Sequence, residues 1–110
     1  MTTLDRRYDK RVVTDIAVAV TAAAGRRVRR AQNISYGGLQ FRRGLEELDM
    51  GEEIRLRFRL PGGFGPIRCG GRVVYERDDR VGIRFTELPL SEQVALDRYL
   101  TERVGEGWYM

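Results

Sequence analysis

The sequence contains no histidine and a single cysteine, Cys69. The first absence removes His-based proton transfer and the Ser/His and Cys/His nucleophile pairs, and the two together remove the usual zinc ligand sets. A lone thiol cannot build an intrachain disulfide framework, which fits a reducing compartment, so a cytoplasmic location is expected. Serine is scarce as well, with Ser35 and Ser91 alone, leaving little for a serine hydrolase. No enzymatic activity is expected. Long hydrophobic runs are also missing: the most apolar stretch, Val12 to Ala24, is broken by Thr14, Asp15 and Thr21. A membrane helix needs about 18 or more nearly uninterrupted apolar residues, so no membrane insertion is expected. The first residues, Met1 to Arg7, carry charges with no apolar run behind them, which is not the pattern of a secretory signal.

What is present suits one compact domain. The 110 residues are 42% hydrophobic, enough for a core. Twenty basic residues, all arginine except Lys10, face sixteen acids for a net charge of +4. The charge is uneven. Residues 1–44 hold ten basic and three acidic residues (+7), and residues 45–110 hold ten basic and thirteen acidic (−3). Such a chain attracts anions toward its amino-terminal part. Arginine also offers the planar, two-pronged donor fork that fits phosphate or a guanine edge.

Hydropathy patterning reads as short strands separated by turns. Residues 1–11 are polar and basic and form an arm ahead of the fold. Val12–Thr21 alternates, with Ile16, Val18 and Val20 on one face and Ala17 and Ala19 on the other. Arg26–Ile34 is a weaker strand, and Leu39–Phe41 resumes alternation after Gly37-Gly38. Glu53–Leu60 is the clearest, with Ile54, Leu56, Phe58 and Leu60 opposite Arg55, Arg57 and Arg59. Those arginines read as a solvated face that also keeps a sheet edge from pairing. Ile67–Tyr75 follows the turn-rich Pro61–Pro66, with Gly70-Gly71 marking a bulge or close backbone approach. After an Asp78-Asp79 turn, Val81, Ile83 and Phe85 alternate again. Phe41, Phe58, Tyr75 and Phe85 are all assigned to core faces, and Cys69 reads as a small buried residue. Pro89 to Glu92 starts a helix with Ser91 as its cap, and Leu96, Tyr99, Leu100 and Val104 fall on one helical face that packs against the strands. This is an all-β arrangement, barrel or sandwich, with one carboxy-terminal helix. Residues 105–110 form a tail from which Trp108 and Tyr109 can dock.

Two patterns lie in the positive part of the chain. Arg7 and Arg11 form an R-x-x-x-R just ahead of the first strand, and Asn33, Ser35 and Gly38 form an N-x-S-x-x-G. Together, in this order, they resemble the PilZ domain family, whose members are bacterial receptors for cyclic di-GMP. Leu60-Pro61-Gly62-Gly63, Gly71-Arg72-Val73-Val74, Gly82-Ile83-Arg84-Phe85 and the stretch from Glu87 to Leu100 resemble the later strands and terminal helix of the family. The resemblance spans about residues 6–104. It implies a small six-stranded antiparallel β-barrel with a C-terminal α-helix over residues 12–104, preceded by a flexible arm (1–11).

The resemblance also implies a cyclic di-GMP site made by Arg6, Arg7, Arg11, Asn33, Ser35 and Gly38. Arg7 and Arg11 suit phosphate and guanine, by hydrogen bonding and by stacking of the flat guanidinium. Asn33 and Ser35, two apart in an extended segment, share a face and suit polar edges, while Gly38 lets a ligand or a turn approach the backbone. Arg6, immediately before the first motif, goes in family members with a stacked, intercalated pair of ligand molecules. The implied protein is a stand-alone receptor whose arm orders on binding and whose altered surface acts on an effector protein in motility, exopolysaccharide or biofilm control. It is expected to be monomeric or dimeric, to use no metal or further cofactor, and not to bind DNA. Arg26, Arg27, Arg29 and Arg30 either extend the positive field toward the ligand or cover a hairpin. Two alternatives stand beside this reading. One is a basic barrel binding single-stranded nucleic acid, with Tyr8 and Tyr36 as stacking faces. The other is a PilZ-type interaction module that has lost its ligand.

Overall fold

The computed structural model describes residues 11–42 and 48–107, in six strands and one helix. They are β1 (Val12–Ala22), β2 (Gly25–Ile34), β3 (Gly38–Arg42), β4 (Glu53–Leu60), β5 (Gly65–Arg77), β6 (Arg80–Glu87) and α1 (Leu90–Gly105). Every pairing is antiparallel, in the order β1-β2-β3-β6-β5-β4, and β4 pairs back onto β1 to close a barrel. Closure leaves Arg55, Arg57 and Arg59 with no edge to guard. β4 is hydrogen-bonded on both sides, so their role as edge protectors is corrected, although they do face outward as the alternation requires.

The period-two pattern builds the barrel directly. Ile54, Leu56, Phe58 and Leu60 point inward with at most 4% exposure, where they meet Val18, Val20, Phe41, Ile67, Val73 and Ile83 in one core. Each such side chain contributes about 1.5–3 kcal/mol on leaving water. The Asp78-Asp79 turn has both residues at positive φ (51° and 66°), the two-residue hairpin geometry whose twist matches its strands. It therefore carries pairing to Arg77 and Arg80, and β5 (Gly65–Arg77) runs two residues past the expected Ile67–Tyr75 at each end.

Register shifts break the simple alternation in places that matter later. One lies between Ala31 and Asn33 on β2, another between Val73 and Tyr75 on β5. An extra residue on one strand lets Ala31 and Ile34, three apart, both face the core, and it turns Asn33 to the outer wall. The shift on β5 likewise aims Tyr75 outward. It is half-buried against the outside of the barrel, which corrects its assignment to a core face. Phe41, Phe58 and Phe85 do pack into or against the core, with the Phe58 and Phe85 rings stacked at 6.3 Å.

Helix α1 lies against β5 and β1. Leu96, Tyr99 and Leu100 are buried, the Phe64 ring meets Tyr99 edge-on at 5.7 Å, and the Tyr99 hydroxyl is 3.2 Å from Thr14 Oγ1. Ser91 is not its cap. The cap position is Pro89, whose extended backbone (φ −59°, ψ 155°) starts the helix at Leu90, so Ser91 falls within the first turn and its hydroxyl hydrogen-bonds the Glu92 carboxylate. The Gln93 side chain instead donates to the Leu88 carbonyl at 2.8 Å, tying the helix start to the chain entering it.

Cys69 sits in the core at 1% exposure, and burial pushes its thiol up to about 12. Folding favours the protonated form, so this contribution to stability is complete below the unfolded thiol's value of 9.0 and is lost as pH rises from there toward 12. At pH 8 an aromatic disulfide reagent is expected to leave the native thiol unmodified and to react fully once denaturant unfolds the barrel. Rapid native-state labelling contradicts this.

Candidate functional site

The outer wall of β2, β3, β6 and β5 carries one polar row. Asn33 pairs with Gln40, Gln40 with Gly82, and Gly82 with Tyr75, so four neighbouring strands present these positions side by side. Asn33 Nδ2 donates to Gln40 Oε1 at 2.7 Å, and Gln40 Nε2 donates to the Tyr75 hydroxyl. Gly82 is what lets the aromatic ring lie flat on the wall. A Cβ there would sit 2.1 Å from a Tyr75 ring carbon. The Arg77 guanidinium stands 5.5 Å from the ring centroid, within reach of a cation–π contact.

Arg11 closes the row at its β2 end. Its Nε donates to Asn33 Oδ1 and its NH1 donates to Ser35 Oγ at 3.3 Å. The last arginine of one motif therefore meets both polar residues of the other, across 22 and 24 positions of sequence. Asn33 and Ser35 do share a face, as their spacing requires, but neither presents an open edge in this structure. They are 1% and 4% exposed. The Asn33 amide is held by Arg11 and Gln40, and the Ser35 hydroxyl reaches the Gly38 carbonyl at 3.3 Å. Ser35 N also donates to Gly38 O at 2.8 Å, so the local turn chemistry and the contact with Arg11 coexist.

Half-burial pulls the Arg11 guanidinium below its ordinary value, and the nearby Tyr75 opposes that shift. A guanidinium remains charged at neutral pH regardless. Two of its five N–H groups satisfy Asn33 and Ser35. The planar fork is thereby fixed in direction, beside a shallow hollow of about 200 Å³ lined by Arg11, Ser35, Gly38, Tyr75, Gly82 and Arg84, among others. A fixed cation, a second arginine and the half-buried Tyr75 ring at the rim suit a flat anionic ligand that both accepts hydrogen bonds and stacks.

Gly38 has its own reason. A Cβ there would lie 1.9 Å from the Ile83 carbonyl oxygen and 2.9 Å from its carbon, so it is β6 that approaches the backbone at this point. Arg6 and Arg7 lie outside the described residues, as do Tyr8, Trp108 and Tyr109. Arg26, Arg27, Arg29 and Arg30 line other parts of the surface and none borders the hollow beside Arg11. Sequence reasoning missed Gln40, Tyr75, Gly82 and Arg84. Strict alternation around Leu39-Gln40-Phe41 marks Gln40 as outward, whereas nothing local marks the bulge that turns Tyr75. Among the described residues no cluster of three or more His, Cys, Asp or Glu is placed to hold a metal, and no helix is long and apolar enough to cross a membrane.

Comparisons with known proteins agree with this architecture. The Bacillus subtilis inhibitor of motility MotI/DgrA superposes with a TM-score of 0.81 at 22% identity, over 94% of this chain and 53% of that one. This chain thus spans about half the length of that relative. The PilZ domain of Escherichia coli YcgR, solved with c-di-GMP, gives a TM-score of 0.65 at 15% identity, covering 88% of this chain and 90% of the other. The PilZ domain of CeSA from a cellulose-synthesizing bacterium gives 0.63 at 19% identity, covering 84% and 95%. At these identities the likeness is one of fold. No curated protein sequence matches the chain. The PilZ domain model matches residues 5–102, a span that takes in both motifs, all six strands and most of α1. With that match over nearly the whole length and the closed six-stranded barrel beneath it, this chain belongs to the PilZ domain family.

Proposed function

We propose that this protein is a cyclic di-GMP receptor that acts by changing its surface for an effector protein, and that it is not an enzyme. The observation that carries the reading is the meeting of Arg11 with Asn33 and Ser35 at the rim of the hollow on the outer wall. Cyclic di-GMP is a compact ring with two phosphates and two guanines, which needs cations, donors and a stacking surface at close quarters. Asn33 and Ser35 act chiefly by aiming Arg11, Tyr75 supplies a face for a base, and Arg84 adds a second donor fork. Arg6 and Arg7 complete the cationic side of the site. Arg6 supplies the additional charge that an intercalated pair of ligand molecules requires, so two ligands per chain are expected. The effector lies in motility, exopolysaccharide or biofilm control, and the setting is the cytoplasm.

The test is calorimetric titration of the purified chain with cyclic di-GMP, alongside a single-stranded oligonucleotide. Saturable binding of two ligands per chain that persists at moderate salt is expected, with oligonucleotide binding absent or abolished by the same salt. A titration that ends at one ligand contradicts the pair, and no heat or protection at all removes the receptor reading. Ser35→Ala keeps Arg11 but frees one of its two anchors, so it should weaken binding by about 1–3 kcal/mol with the fold intact.

A further inference from the structure

A second basic feature lies away from the Arg11 hollow, centred on β1 and β4. Along the second half of β1 the outward residues Ala17, Ala19 and Thr21 are small, with the exposed Asp15 just ahead of them. Arg30, Val28 and Arg26 flank them on β2, and Arg57 and Arg55 flank Ala19 and Thr21 on β4. Arg68 stands directly opposite Arg57 on β5. Two hollows follow one another along this floor. One of about 260 Å³ is bordered by Ala19, Thr21, Arg26, Arg55, Arg57 and Arg68, and one of about 390 Å³ by Asp15, Ala17, Arg30, Arg59 and Pro61 among others. The wall is thus a trough with a methyl-lined floor and guanidinium rims.

The rims carry charge that the fold itself does not neutralise. Arg30 pairs with Asp15 at 2.8 Å and Arg55 with Glu87 at 3.1 Å. Among the described residues Arg26, Arg57, Arg59 and Arg68 form no ion pair. Like charges directly opposite on neighbouring strands, as at Arg57 and Arg68, are destabilising, and barrel closure leaves no edge for them to protect. Val28, 70% exposed on the β2 rim, adds apolar surface beside Ala19.

We propose that this trough is a docking site for an acidic amphipathic α-helix of a partner protein. Its width between the β2 and β4 backbones is two strand spacings, about 9.5 Å, close to the diameter of an α-helix, about 10–12 Å with side chains. Ala17, Ala19 and Val28 receive the small apolar stripe of the helix, while carboxylates on its two flanks meet Arg26 and Arg30 on one side and Arg55, Arg57, Arg59 and Arg68 on the other. The outward residues here include no aromatic ring, so the wall lacks the stacking platforms that single-stranded nucleic acid uses, and a phosphate backbone held by the arginine rims would leave Ala17, Ala19 and Val28 uncovered. The inference does not rest on the ligand proposed for the Arg11 hollow.

The test uses the full chain and a fluorescein-labelled synthetic 18-residue peptide. Its single Ala/Leu stripe is bordered by glutamates spaced i, i+4, and anisotropy reports binding. A scrambled peptide of equal composition, a thymidine 20-mer and vesicles of phosphatidylglycerol with phosphatidylcholine are the competing probes. The amphipathic peptide is expected to bind, to lose about tenfold in affinity in the double variant Arg57→Glu/Arg68→Glu, and to keep it in Arg80→Glu, a reversal at the β5–β6 turn outside the trough. The double variant is expected to melt no lower than the parent, because it removes a like-charge pair, so loss of binding is separable from loss of fold. Equal binding of the scrambled peptide, tighter binding of the oligonucleotide or vesicles, equal weakening by Arg80→Glu, or no peptide binding would each overturn the proposal.

Discussion

Arg11→Ala is expected to lose cyclic di-GMP binding by about a hundredfold or more while the barrel stays folded. Charge-assisted hydrogen bonds contribute about 1.5–3 kcal/mol each, and a guanidinium held over a phosphate makes two in parallel. About 3 kcal/mol is two decades of affinity. The stability cost is smaller, because Asn33 keeps its bond to Gln40 and Ser35 keeps its bonds to Gly38. Arg11→Lys separates charge from geometry. A point charge on a flexible stem cannot span Asn33 and Ser35 while offering a planar fork, so it should restore only a small part of the lost affinity. Titration calorimetry with a thermal melt of each variant decides it. An alanine variant that binds as the parent does would remove Arg11 from the site.

Gly38→Ala is expected to act on folding, lowering unfolding free energy by about 3 kcal/mol, at the upper end for overpacked sites. The added methyl would meet the backbone of β6, at Ile83 O, Ile83 C and Arg84 Cα. Backbone cannot swing aside as a side chain can, so β3 and β6 must separate across their shared register, Gly38 to Arg84 through Arg42 to Arg80. Gly37 next to it is the internal control. A methyl there meets nothing within 4 Å, so Gly37→Ala should stay within about 0.5 kcal/mol of the parent. Urea unfolding with a titration at low denaturant separates the two roles. A Gly38→Ala protein as stable as the parent yet unable to bind would mean that the glycine serves the ligand and not the strand.

Both predictions concern motif residues, yet they came to differ in kind only through structure. The pattern Asn33, Ser35, Gly38 reads in sequence as polar groups for a ligand beside a glycine that admits a ligand or a turn. In the barrel, Gly38 faces the β6 backbone, and Asn33 and Ser35 both accept hydrogen bonds from Arg11. Glu53–Leu60 was legible to the residue because its alternation is uninterrupted and buries every second side chain. Tyr75 was misread for the converse reason. Alternation counted from Ile67 carries it inward, and one extra residue between Val73 and Tyr75 reverses its face. Ser91 was misread because a serine ahead of a helical period is a good cap only when the backbone enters there, and Pro89 brings it in two residues earlier.

The strand and helix pattern, the uneven charge and the two family motifs can be read along the chain, since they rest on local periodicity and residue chemistry. Which side chains meet depends on how the strands come together. The register shifts at Asn33 and Tyr75, the contact of Arg11 across 22 residues, and the trough of small residues between arginine rims all follow from closing six strands into one barrel. The energy of that closure lies in contacts between distant segments, and no short stretch of chain encodes it.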